Sequence, residues 1–343
     1  MKASLNMTAS DLLPKDIADH FNRSGLIVSS MAADDVVTGV VDWLVGQRSR
    51  RNRAVCRYLS YLNRMWETFV TIAQDFPRQN PGRAGQKDEA AAGTSSMEML
   101  HLANHLYVLN SYDVPGAVLE CGCFKGFSSC CLSHACAFLS RELIVADSFQ
   151  GLPTPVNTDA QYYQAGDFKG TYDEVRRHMR MFGLPNCAEF VQGFFSSSLN
   201  GWNRPLAMLW MDVDLYQSTM DVLDRVFSAL DPHGAMFCHE FSRTNDICAG
   251  KISSETGPPG AIREFLTVRG VSYTARHVIK CEDNYSYATG MVTFATSVAN
   301  ASPLLLEVLE RKLPDRDLQA KVKRVCRRYY GKLSRFLVSS RVV

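Results

Sequence analysis

No stretch of these 343 residues stays apolar for the roughly 18 positions that a membrane span needs. The opening segment "MKASLNMTASDLLPKDIADHFNRSGLIV" lacks the uninterrupted apolar core and small-residue cleavage site of a secretory leader. The expected compartment is the cytoplasm. Cysteine shows no framework: eleven are present, an odd number, scattered through helix-like and strand-like text, which predicts reduced thiols and not disulfides. No internal repeat is present, so solenoids and propellers are excluded. Acidic residues are missing from Leu318 onward, where eight Lys or Arg stand (Lys321, Lys323, Arg324, Arg327, Arg328, Lys332, Arg335, Arg341). The rest of the chain then holds 29 basic against 35 acidic residues, about −6 within a net charge of +2. With 46% hydrophobic and 21% charged residues, the composition is that of a soluble globular protein, neither fibre nor disordered chain, and no nucleic-acid partner is expected.

Residues 1 to about 75 read as helical; in "VCRYLSYLNRMWETFVTIAQDF" Val55, Tyr58, Leu59, Leu62, Trp66, Phe69 and Val70 recur at helical spacing. "PRQNPGRAGQKDEAAAGTSS" (77–96) is rich in Pro, Gly and small polar residues and reads as a linker or mobile loop. A helix from 97 to about 111 leads into five short apolar runs separated by helix-like segments: "GAVLEC", "ELIVADS", "AEFVQGF", "LAMLWMDVD" and "GAMFCHEF". Strands alternating with helices predict a mostly parallel sheet covered on both faces. "SYTARHVIK" and "YSYATGMVTFA" then predict a closing antiparallel pair, seven strands in all. The expected organisation is a helical N-terminal extension and lid over 1–96, the α/β domain over 97–298, and a basic tail over 299–343.

In such a sheet the first strand-to-helix turn cradles a ligand at the carboxyl ends of the strands. "ECGCFKG" occupies that place: Gly122 and Gly126 would let the backbone come close, and Glu120 would end the strand with a carboxylate facing the ligand. Asp147, 21 residues after Gly126 at the end of the second strand, suits a carboxylate accepting hydrogen bonds from ribose hydroxyls. Together these point to a nucleoside-type cofactor. The alternative, that Cys121, Cys123, Cys130, Cys131 and Cys136 are zinc ligands, is disfavoured, since Cys130, Cys131 and Cys136 fall on the following helix, where small polarizable residues pack closely against the sheet. His101 and His105 in "HLANH" lack the glutamate that a zinc-protease helix places after its first histidine, and read as ordinary helix residues.

A dinucleotide turn would carry G-x-G-x-x-G, but Phe124 stands where the central glycine is expected, and Glu-x-Gly-x-x-x-Gly resembles the first motif of class I S-adenosylmethionine-dependent methyltransferases. "DSFQGLP", "GDFKGTYDEVRRHMRMFGL", "VQGFFSSSL", "MDVDLYQSTMDVLDRVFSALDPHGAMFCHEF" and "GPPGAIREF" follow in order the pattern of the macrocin O-methyltransferase (TylF) family, sugar O-methyltransferases of antibiotic pathways, over about residues 110–295. The resemblance implies a Rossmann-like fold and methyl transfer from S-adenosylmethionine to a hydroxyl of a sugar, glycoside or glycolipid. It implies that Glu120, Gly122 and Gly126, with Cys123 and Ser128, contact the methionine end of the cofactor, Asp147 and Ser148 the ribose, and Gly193 with Phe194 the adenine. It also implies a divalent metal, magnesium or manganese, on Asp212 and on an acidic pair ending the fifth strand. Here the chain departs from the family, because that pair is His239 and Glu240.

His239 is then a third metal ligand, a general base without metal, or a packed strand-end residue. The family's histidine after the second strand is missing from "TPVNTDAQYYQAGDFKG", which leaves Asp159, Asp167 or His239 to take the proton, or a metal that makes a strong base unnecessary, with Asp212 also counted among the catalytic residues. Metal-independent methylation of another small molecule, a non-catalytic S-adenosylmethionine-binding protein and a nicotinamide oxidoreductase are the alternatives. The tail "LQAKVKRVCRRYYGKLSRFLV" is amphipathic; its apolar face suits packing on the body or on a second copy of the chain, and its basic faces suit an anionic membrane surface.

Overall fold

The computed structural model describes residues 15, 53–79, 93–156, 159, 163–242, 246–278 and 287–294. The chain divides into two compact units, residues 68–299 and residues 1–67 with 300–343. The tail and most of the N-terminal extension lie outside the described residues. No helix among them is long and apolar enough to cross a membrane.

Helix α1 (Arg53–Gln79) runs past the expected break at Pro77. Proline keeps a helical φ and forgoes one hydrogen bond, which the last turn tolerates. Just before it Phe76 is buried against Phe127, His178 and Phe182, at ring distances of 5.6, 4.8 and 5.5 Å. Helix α2 (Ser96–Ser111) starts from a reciprocal cap: Ser95 Oγ accepts from Glu98 N, and Glu98 Oε2 accepts from Ser95 N. The expected linker is thus helix at both ends, and its residues 80–92 lie outside the described ones.

Then follow β1 (Ala117–Cys121), α3 (Phe127–Phe138), β2 (Leu143–Asp147), α4 (Tyr172–Phe182), β3 (Ala188–Gln192), the single turn α5 (Phe195–Ser198), β4 (Leu206–Met211), α6 (Tyr216–Val226) and β5 (Leu230–Ser242). A two-residue hairpin pairs β6 (Ile247–Cys248) with β7 (Lys251–Ile252), before α7 (Gly257–Val268), β8 (Tyr273–His277) and β9 (Tyr287–Phe294). All five apolar runs are strands.

The sheet has the order β3-β2-β1-β4-β5-β9-β8, parallel through β5 and antiparallel at β9 and β8. Every residue of β1 and β4 is buried, as continuous apolar strands require in a sheet covered on both faces. One face packs Leu119, Leu209 and Met236 against Leu223 of α6 and Phe265 of α7. The other carries Phe237, on which the buried His105 of α2 lies at 5.0 Å. The chain moves outward from β1 to β3 and returns on the far side as β4, so β1 and β4 are the neighbours between which the winding reverses. The connections that leave them go to opposite faces of the sheet, which opens a crevice beyond their carboxyl ends.

Candidate active site

A cavity of about 530 Å³ fills that crevice. Its walls are the turn 122–125 after β1, Asp147 and Ser148 after β2, Phe194 and Phe195 after β3, Asp212, Val213 and Asp214 after β4, and His239 with Glu240 on β5. Of the residues singled out from the sequence, Gly122, Cys123, Ser128, Asp147, Ser148, Phe194, Asp212, His239 and Glu240 line it; Glu120, Gly126, Gly193 and Asp167 do not.

Gly122 has φ +83°, and a Cβ there would collide with the Asp212 carbonyl oxygen. The glycine serves the crossing of the ends of β1 and β4, which are joined by Asp212 N to Cys121 O at 2.9 Å, while Gly122 N donates to Ala146 O of β2, also at 2.9 Å. Gly126 caps α3 and packs against Val175. Gly193 has φ +136°, and its carbonyl accepts from Ser198 Oγ at 3.0 Å. Asp147 Oδ2 accepts from Cys123 N at 2.8 Å and Oδ1 from Phe149 N at 2.7 Å, so its carboxylate holds the turn after β1 in shape as well as facing the cavity. Burial pushes its pKa up against these two donors. Ser148 is half spent locally, donating to Gly151 O at 2.8 Å.

Glu120 differs from expectation. Its side chain turns away from the cavity into α3, where Ser128 Oγ and Ser129 Oγ each lie 2.5 Å from one of its oxygens. Burial raises its pKa to about 8 in spite of the hydroxyls, so at neutral pH it is a carboxylic acid. The neighbouring cysteines are buried free thiols, their pKa values raised by burial, and they do not gather into a metal group among the described residues.

The group that does gather is Asp212, His239 and Glu240, with one ligand atom from each within 4.8 Å of the others. His239 Nδ1 lies 3.2 Å from Asp212 Oδ1 and 3.4 Å from Glu240 Oε1, and its Nε2 lies 3.5 Å from Glu98 Oε1. Burial would push the imidazole pKa down, but Asp212 and Glu240 carry it well above its ordinary value. Reciprocally, burial would raise Asp212, but His239 outweighs it and keeps that carboxylate low. Glu240 is pushed well up by burial and by Asp212. Its Oε2 accepts from Cys238 Sγ at 3.3 Å, whereas Oε1 is buried with no hydrogen-bond partner among the described residues.

Two further acids are candidates for the proton. Asp167 accepts from Gln164 N at 2.8 Å within its own turn. Asp159 is buried, and its Oδ2 accepts from Tyr216 N at 2.9 Å, capping a helix whose N-cap residue is Leu215. Both therefore have structural work. Asp214, which sequence reasoning passes over, lines the cavity in a left-handed conformation (φ 61°) and takes a hydrogen bond from Tyr163. Burial and then Asp212 raise its pKa to about 7. Glu98 escapes it too, because Ser-x-x-Glu before an apolar run is complete as a helix cap and gives no sign of a second task.

Residues 42–251 match the macrocin-O-methyltransferase (TylF) family. The chain is similar, at 26% identity over 241 residues, to the 8-demethyl-8-(2,3-dimethoxy-alpha-L-rhamnosyl)-tetracenomycin-C 4'-O-methyltransferase of Streptomyces olivaceus, across 66% of this chain and 90% of that protein. It is 33% identical over 174 residues to the mycinamicin III 3''-O-methyltransferase of Micromonospora griseorubida, across 46% of this chain and 63% of that protein. Among solved structures, the O-methyltransferase NovP shares the fold with a TM-score of 0.51 at 22% identity, over 69% of this chain and 98% of that one.

Proposed function

The chain belongs to the macrocin-O-methyltransferase (TylF) family and is an O-methyltransferase, and we propose that it methylates a hydroxyl of a sugar or glycoside, with S-adenosylmethionine as donor and a divalent cation at the acceptor. The observation that carries this reading is the convergence of Asp212, His239 and Glu240 in the same cavity as the turn after β1. The Streptomyces olivaceus relative acts, by its name, on a natural product that carries a rhamnosyl group, which supports a glycoside over a simple phenol.

When bound, S-adenosylmethionine supplies an electrophilic methyl group and the cation lowers the pKa of the hydroxyl beside it. The residues fit both. Asp147 and Ser148 would face the ribose, Phe194 the adenine, and residues 122–124 the methionine end. For the cation, two carboxylates and one imidazole offer a mixed oxygen and nitrogen donor set, and Glu240 Oε1, beside His239 Nδ1 at 3.4 Å but without a hydrogen bond among the described residues, has a lone pair to give. Such a set suits manganese better than magnesium.

Asp214 would receive the hydroxyl proton at a carboxylate oriented by Tyr163, in place of Asp167, which stands off the cavity. Leu152, Pro153, Tyr163 and Phe168 wall the site from the side of the loop after β2 and would exclude water from the transfer. In this reading residues 97–298 carry the chemistry, with 1–96 as lid and 299–343 as a tail.

The experiment is a mass-spectrometric screen of glycosides for the gain of one methylene, with and without chelator. Turnover should vanish with chelator and return best with manganese. Asp212→Asn and Glu240→Gln should each lose at least about 100-fold in kcat while S-adenosylmethionine affinity stays within about twofold. Full activity in excess chelator, with no metal by elemental analysis, would overturn the cation.

A further inference from the structure

The fifth strand of this chain carries His239 and Glu240 near its carboxyl end, where the family resemblance leads one to expect two aspartates, and that exchange has a chemical consequence. A carboxylate offers lone pairs on both oxygens in any orientation. A neutral imidazole has only one, on whichever nitrogen lacks the proton. A histidine in this place can therefore serve a cation only if the proton is held on the nitrogen that faces away from it.

The nitrogen facing away is Nε2, and it meets Glu98 Oε1 at 3.5 Å. Glu98 is not free to move. Its Oε2 accepts from Ser95 N at 2.6 Å, its Oε1 accepts from Thr289 Oγ1 at 2.8 Å, and its own N donates to Ser95 Oγ at 3.2 Å. Glu98 and Thr289 are both buried. A fixed, buried carboxylate is thus presented to Nε2, while Nδ1 points at Asp212 Oδ1 and Glu240 Oε1.

The geometry points to Glu98 as a positioning residue: its carboxylate accepts from the Nε2–H of His239 and keeps that proton there, so that when the cation takes the place of the Nδ1 proton the Nδ1 lone pair stands beside Asp212 and Glu240 and the histidine is usable as the third ligand. A carboxylate behind a ligating imidazole also raises its basicity, and loss of such a partner typically costs about 10 to 100-fold in metal affinity. The inference rests on the cation reading above and adds to it the condition under which a histidine can replace an acid.

The test measures manganese binding to the full chain by calorimetry, without methyl donor or acceptor, in the unmodified protein, Glu98→Gln, His239→Asp and the double variant. In Glu98→Gln the amide carbonyl can still accept from Ser95 N, but the NH2 donates to Nε2 and drives the imidazole proton onto Nδ1, where it opposes the cation. Manganese affinity should fall at least about tenfold. In the His239→Asp background, which has no tautomer to set, the same change should matter less than about twofold. S-adenosylmethionine affinity, followed in parallel, should not move.

An equal loss in both backgrounds would make Glu98 a helix cap only and overturn the inference. Unchanged affinity in Glu98→Gln would overturn it while leaving the cation reading intact, whereas absence of manganese binding in the unmodified protein would remove both. Should Glu98→Gln fail to fold, Thr289→Val removes just the hydroxyl that orients Glu98 Oε1. It should weaken manganese in the same direction, and no change there counts against the role.

Discussion

Glu120 carries a proton that the unfolded chain would have lost. Its ordinary pKa of 4.5 rises to about 8 on burial among Ser128 and Ser129. Between those values the native state binds the proton and the unfolded state does not, so stability falls as pH rises, by up to about 1.4 kcal/mol for each pH unit. Glu120→Gln keeps the shape and the polar contacts without a charge to acquire. Its melting temperature should match the unmodified protein near about pH 5 and exceed it near about pH 9, and parallel pH profiles would show that Glu120 is ionised in the fold. The position of this glutamate at a strand end was legible, and its direction was not. Alternation along β1 tells that Glu120 and Cys121 face opposite sides, but which side holds α3 is settled only by packing. Asp147 and Asp212 were legible because each stands at the end of an apolar strand, where the sheet itself has no need of a carboxylate. Glu98 was hidden by its own cap, and Asp214 by its neighbour Asp212.

At the scale of elements, the strands followed from their apolar runs and the helices from the text between them, whereas the fastening of loops to helices depends on contacts far apart in sequence. Asp159 is the example. Nothing local marks it as the cap of α6, which begins 57 residues later, yet its carboxylate meets Tyr216 N. The connection it belongs to also supplies Tyr163 and Phe168 to the cavity wall, with Phe168 edge-on to Phe124 at 5.9 Å. Asp159→Ala should cost about 1 kcal/mol as a lost cap and raise KM for the acceptor several-fold, with S-adenosylmethionine affinity little changed. A lower stability with unaltered KM would confine Asp159 to the helix. Pro77 shows the converse limit: it reads as a break, and the helix continues because the last turn can spare the bond.

For the whole molecule, charge is divided between a mildly acidic body and a basic end, since residues 318–343 hold eight Lys or Arg and no acid. Deleting 318–343 should reduce cosedimentation with vesicles containing phosphatidylserine at low salt, at about 1 kcal/mol or less per basic residue, and the difference should fade as salt is added. Equal sedimentation of the two forms would assign the tail to packing. The crossing of Gly122 under Asp212 has a consequence for change over evolutionary time. Because the strand ends that carry the turn 122–125 and Asp212 are bonded to each other, a shift in either would be transmitted to the other, and in the reading proposed above new acceptors are hard to accommodate there. The freedom lies in side chains of the connection between β2 and α4, provided that Asp159, which caps α6, and Gly170, which lies against the Phe124 carbonyl, are kept. Swapping residues 151–170 between relatives, with those two retained, is thus the direct route to a new acceptor preference, and grafting the strand ends is the route to an inactive chimera.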